Sequence, residues 1–151
     1  MKTLIIILII ALIINLAFDL KIFAKERKAK GSGGWGVGSE YQKLFNPRDA
    51  RTFSGDVLKT DKCIPLAGMA AGVRIRIKTT AEEIYVHCGP EFFIERQDHF
   101  ISVNEKVEIK GVRVTIHDQP ILIASEIRRG TEFLKLRDEN GIPVWSGWKK
   151  R

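Results

Sequence analysis

The sequence predicts an all-β domain behind an apolar N-terminus, and three observations predict it. Residues 72–88, GVRIRIKTTAEEIYVHC, alternate apolar and polar side chains through two consecutive runs. That is the period a strand imposes by sending successive side chains to opposite faces. Residues 106–116 alternate too, but change phase at Gly111, from Val107 and Ile109 to Val112, Val114 and Ile116, as a β-bulge does. Asp138-Glu139-Asn140-Gly141 between two short apolar runs is a hairpin turn signal.

The chain has 151 residues, about one domain's worth. Its first 24 residues read as a signal peptide or membrane anchor. Leu4 to Phe18 is LIIILIIALIINLAF, with only Asn15 polar, short for a span of ~20 residues but suited to a signal-peptide core. Ile22-Phe23-Ala24 offers a cleavage site. The expected location is exported, periplasmic or membrane-tethered. A cytoplasmic-facing anchor is the alternative, because the downstream flank is the more positive one.

Charge separates the tails from the body. The net charge is +7, of which residues 1–24 carry +1, residues 25–30 carry +3 and Lys149-Lys150-Arg151 carry +3, leaving residues 31–148 neutral. A folded part without excess charge argues against a dedicated nucleic-acid domain, and basic tails suit anionic head groups as well as they suit DNA. Residues 25–50 read as a basic, glycine-rich tether and lead-in. GSGGWGVG at 31–38 is five-eighths glycine, a composition that costs the most backbone freedom to order. It neither follows a strand nor opens a helix with Gly-Lys-Ser/Thr, which excludes a phosphate loop.

From Arg51 the chain is read as strands, and the domain as residues 51–151. Strand one is Arg51–Lys59, with Phe53, Gly55 and Val57 on one face. Strands two and three are the two runs of residues 72–88, joined at Thr79-Thr80-Ala81-Glu82. Gly89-Pro90 ends strand three and Pro90 opens a short helix over Glu91–Arg96. Strand four is Lys106–Ile116, and Ile121, Ile123 and Ile127 mark strand five. Phe133–Arg137 and Ile142–Trp145 form an appended C-terminal hairpin, with Leu134, Leu136, Ile142 and Trp145 packing across the sheet. Three antiparallel strands, a helix between strands three and four, and a bulge to turn a corner are the parts of a five-stranded Greek-key barrel, the OB-fold.

Gly55-x-Val57, Ile84-x-Val86, Val107-x-Ile109-x-Gly111-Val112 and Ile121 to Ile127 resemble the small exported bacterial OB-fold proteins of the BOF family over residues 51–128. The resemblance implies a small exported binding module without catalysis. The family's Asp-x-x-Gly hairpin between strands two and three is absent here, and residues 134–148 lie outside its core.

Four constellations are candidates for chemistry. Arg74, Arg76, Lys78, Tyr85 and His87 share the outward face of strands two and three. There they would bind an anionic ligand such as nucleic acid, cations on phosphates and rings on bases, or serve only as a solvated face. Cys63, Met69, His87 and Cys88 have the donors of a copper-type soft-metal carrier. Alternatively, Cys63 and Cys88 form a disulfide or remain two free buried thiols. Strand parity turns Cys88 inward and His87 outward, which opposes joint ligation. Asp98-His99 and His117-Asp118 are neighbours in sequence and so cannot form a nucleophile–base–orienter geometry by themselves; with no cofactor motif, the chain is expected not to be an enzyme. Among the tryptophans, Trp145 is expected in the core, and Trp148 beside the basic C-terminus at a membrane interface, on a partner or frayed. The expected function is a non-enzymatic OB-fold module binding an anion on strands two and three. The alternatives are a periplasmic metal carrier and a structural or assembly protein of the cell envelope.

Overall fold

A computed structural model describes residues 32–98 and 101–147, all within the compact unit Ser32–Arg151. The expected signal peptide or anchor, the basic stretch 25–30, His99, Trp148 and the last three residues lie outside the described residues. The fold is mostly β: one six-stranded sheet in the order β3-β2-β1-β4-β5-β6, with an added β3–β5 pairing that closes part of it on itself. The strands are β1 (Arg51–Cys63), β2 (Gly72–Lys78), β3 (Glu83–Pro90), β4 (Lys106–Ile116), β5 (Gln119–Arg129) and β6 (Glu132–Lys135). Every pairing is antiparallel except β3–β5, which is parallel.

Alternation sorts the strands as expected. Val57, Ile75, Ile77, Ile84, Val86, Cys88, Val107, Ile109, Val112 and Leu122 are buried in a common apolar core. The β2–β3 turn closes on Thr79, whose hydroxyl accepts from the Ala81 and Glu82 amides. At the β4–β5 turn, His117 and Asp118 take φ of 50° and 61°, the left-handed pair of a two-residue hairpin. This pair is a turn. Helix α2 (Glu91–Ile94) follows β3, with Pro90 as its N-cap and Phe93 and Ile94 buried.

The register does shift at Gly111, but the extra residue is on the partner strand, so β4 keeps its alternation and Val112 and Val114 share a face with their partners Ile123 and Ile121. Lys110 pairs with Glu126 and Gly111 with Ala124, leaving Ser125 unmatched on β5. A Cβ at position 111 would lie 2.6 Å from the Ile123 carbonyl oxygen, so only glycine allows β4 to pass there.

Two expectations fail. The glycine-rich stretch is not a free tether: Trp35 is fully buried, and its indole N–H donates to the Ala70 carbonyl at 2.9 Å. Gly33 and Gly34, both with positive φ, lie so close to Ala70 and Met69 that a Cβ would overlap those side chains. The glycines there serve close packing. The C-terminal hairpin is also reduced. Its turn forms, with Asp138 N–H donating to the Ile142 carbonyl, but the arms meet at the single bridge Arg137–Pro143. Pro143 has no N–H to extend the ladder, and Val144–Gly147 coils into a 3₁₀ turn. Leu136 and Trp145 are buried and Leu134 partly so, whereas Ile142 is exposed.

Candidate functional site

On β2 and β3 the five residues proposed for anion binding do share an outward side, but Arg74, Tyr85 and His87 are already engaged. Arg74 Nε and Nη2 donate to Asp61 Oδ1 and Oδ2 at 2.7 and 3.4 Å, and Lys59 joins the same carboxylate at 2.8 Å. The Arg74 hydrogen bond holds the Asp61 carboxyl below its usual range. The Arg74 guanidinium lies 4.0 Å over the Tyr85 ring, occupying the face a base would need. Arg76 lies 3.8 Å from Glu83. Lys78 is exposed but stands opposite Asp56 and Glu83 in register. His87 is outward yet buried, because Tyr41 covers it. The Tyr41 hydroxyl is 3.1 Å from His87 Nδ1 and the rings stack at 5.9 Å. Desolvation, with the Arg74 and Arg137 charges, lowers the imidazole to about 4, so it is neutral.

The sulfur set is not assembled. Cys63 and Cys88 are free thiols, and β2 runs between their strands. Two strand spacings put their Cα atoms ~9–10 Å apart, beyond the ~7 Å limit for a disulfide. Cys88 faces the core and burial pushes its thiol far up, while Cys63 is pushed up to about 11, also by burial. Met69 sits partly buried in the 64–71 loop. His87 lies on the other face of its strand from Cys88. Among the described residues no three His, Cys, Asp or Glu side chains converge as a metal site would require.

The feature that alternation does not reveal is a second buried layer over the outward side of β3 and β5, made by the two terminal segments. From the N-terminal side come Trp35, Tyr41 on helix α1 (Glu40–Lys43) and Phe45. From the C-terminal side come Leu136, Arg137 and Trp145. Trp145 Nε1 donates to the Trp35 carbonyl at 2.9 Å, and Gln42 Nε2 to the Gly141 carbonyl at 2.6 Å. Tyr41 of this layer covers His87, which is buried.

At its centre is Arg137, 1 % exposed. The β5 bulge places it. Ser125, unmatched in the ladder, offers its carbonyl to the Leu136 and Arg137 amides at 2.8 and 3.0 Å, and the Arg137 side chain donates from Nη1 to the Ala124 carbonyl at 2.7 Å. Bulges commonly re-aim a chain beside a functional site. The guanidinium lies 5.0 Å from the Phe45 ring and 5.2 Å from the Trp145 ring. Its Nε and Nη2 have no hydrogen-bond partner among the described residues, and desolvation lowers its pKa. A cavity of about 190 Å³ lies against it, bordered by Phe45, Pro47, Lys110, Glu126 and Lys135. The alternating run Leu134-Lys135-Leu136-Arg137 gives no sign that its last member is buried.

The sequence model of the MamS/MamX magnetosome protein family matches residues 49–134. No curated protein matches the chain. The match overturns the assignment to the BOF family, and with it the reading as a nucleic-acid- or anion-binding module on strands two and three, together with its metal-carrier and envelope-assembly alternatives. The alternation and the glycine bulge that suggested that family are shared by many curled sheets, which is why they misled.

Proposed function

The chain belongs to the MamS/MamX magnetosome protein family, which implies a part in magnetosome formation, and we propose that it plays that part without catalysis, held at a membrane by its N-terminus. The family match carries this reading. Support for a non-catalytic role comes from the state of the reactive groups: the imidazole of His87 is spent on Tyr41, Cys88 is sealed in the core, and Cys63 is raised to about 11 and so uncharged at neutral pH. A thiol in that state is a poor nucleophile. Support for attachment comes from Leu4–Phe18 and the four cations of residues 25–30 behind it, a combination suited to anionic head groups. The finer fold reading is a five-stranded Greek-key OB-type barrel with β6 appended. The closure β1-β2-β3-β5-β4, with β3 and β5 parallel, supports it.

The test is deletion of the gene in a magnetosome-forming host, with magnetosomes counted by electron microscopy. The expected result is fewer or malformed magnetosomes, restored by the full chain. A Leu8→Lys, Leu12→Lys variant is expected to leave the membrane fraction and fail to restore them. A deletion strain with normal magnetosomes overturns the reading.

A further inference from the structure

We propose that the free Nε–Nη2 edge of Arg137, at the cavity beside Phe45 and Lys135, is a binding site for a small oxyanion of the carboxylate or phosphate type. This goes beyond the magnetosome reading and does not rest on it.

The chemistry follows from which guanidinium atoms are used. Nη1 is committed to the Ala124 carbonyl. Nε and Nη2 carry two parallel N–H groups on one edge of the planar group, spaced to meet two oxygens of one carboxylate or phosphate. This protein fills that same edge elsewhere: Arg74 gives Nε and Nη2 to the two oxygens of Asp61. Among the described residues both Arg137 atoms are buried with no acceptor, and no salt bridge reaches the guanidinium. Buried charges are ordinarily paired, because an unpaired one is costly. The Phe45 and Trp145 rings, 5.0 and 5.2 Å from the guanidinium carbon, stabilise its charge and offer its Nε–Nη2 edge no acceptor.

The rim sets the size of the ligand. Lys110, Glu126 and Lys135 are successive cross-strand neighbours on β4, β5 and β6, and Asp138 and Glu139 also border the cavity. The Asp138 carboxylate already accepts from the Asn140 and Ile142 amides. Three acids against the two rim lysines repel an extended polyanion such as nucleic acid. Attraction comes from the buried guanidinium, so the site suits one small anionic group. A space of about 190 Å³ takes a short carboxylic acid or a phosphate.

The probes are acetate, succinate and inorganic phosphate, each at up to about 10 mM and against chloride at equal ionic strength, added to the detergent-purified full chain. Binding is read from the Arg137 Nε–H resonance in ¹⁵N spectra and from the melting temperature. Saturable shifts with succinate or phosphate but not chloride are expected. A response to the carboxylates alone names a planar ligand, and a response to phosphate alone a tetrahedral one; either supports the site. Arg137→Lys, which keeps the charge but loses the edge, is expected to weaken binding at least about tenfold, and Lys78→Gln to leave it unchanged. Should the Lys variant not fold, the wild-type resonance decides alone. No saturable shift with any probe, or an equal shift with chloride, overturns the proposal.

Discussion

Trp35→Ala is the sharpest perturbation of the second layer. The side chain is fully buried, touches the Tyr41 and Trp145 rings at centroid distances of 4.8 and 6.3 Å, and hydrogen-bonds the Ala70 carbonyl. Truncating a buried Trp to Ala costs about 3–5 kcal/mol, and leaving the Ala70 carbonyl without its donor adds about 1 kcal/mol or more. The expected loss is about 4–6 kcal/mol, comparable with the whole stability of a small domain at the lower end of about 5–15 kcal/mol. Trp35→Phe keeps most of the ring and forfeits mainly the hydrogen bond, for about 1–2 kcal/mol. Urea unfolding of the detergent-purified chain, followed by far-UV circular dichroism, gives both values. If Trp35→Ala changes stability by less than about 1 kcal/mol, residues 31–38 are a free tether and the layer does not exist.

Three further outcomes are expected. A Cβ at Gly72 would lie 2.2 Å from a Trp35 ring carbon and 2.9 Å from the Gly89 carbonyl, so Gly72→Ala is expected to cost about 3 kcal/mol; the part due to the ring should vanish in a Trp35→Ala background while the carbonyl contact remains, and a fully additive double mutant would refute the ring contact. His87 is held at about 4 against an ordinary 6.5; its contribution is complete above pH 6.5 and is lost as pH falls through that window, by up to about 3 kcal/mol. Urea midpoints should therefore drop between pH 6.5 and 4, and a His87→Gln variant that keeps the same slope would contradict the assignment. Thiol titration without reductant should find both cysteines in denaturant, with slow labelling of Cys63 and none of Cys88 in the native chain; finding no free thiol would restore the disulfide.

Much of the sheet is legible in the sequence because a strand writes its two faces as odd and even positions. Ile75 with Arg74, and Val86 with Tyr85, are sorted correctly. Alternation identifies the outward side but not what lies on it. His87 faces outward and is nevertheless buried, because Tyr41, distant in sequence, covers it. The glycines around Trp35 illustrate the ambiguity: a small residue permits freedom in a solvated chain and close approach in a packed one. The signal within that stretch is the tryptophan, followed by Tyr41 and Phe45, three large rings that need a dry surface. Arg137 carried no signal. Its burial depends on Ser125 being unmatched on β5, and the phase change at Gly111 announces the irregularity without saying which carbonyl it frees.

The terminal segments seal the outward side of β3, and His87 under Tyr41 reports on that seal directly. Its imidazole resonances, identified by comparison with His87→Gln, should stay those of the neutral ring down to about pH 4. Titration near the ordinary 6.5 would mean that Tyr41 does not cover the ring and that the second layer is open.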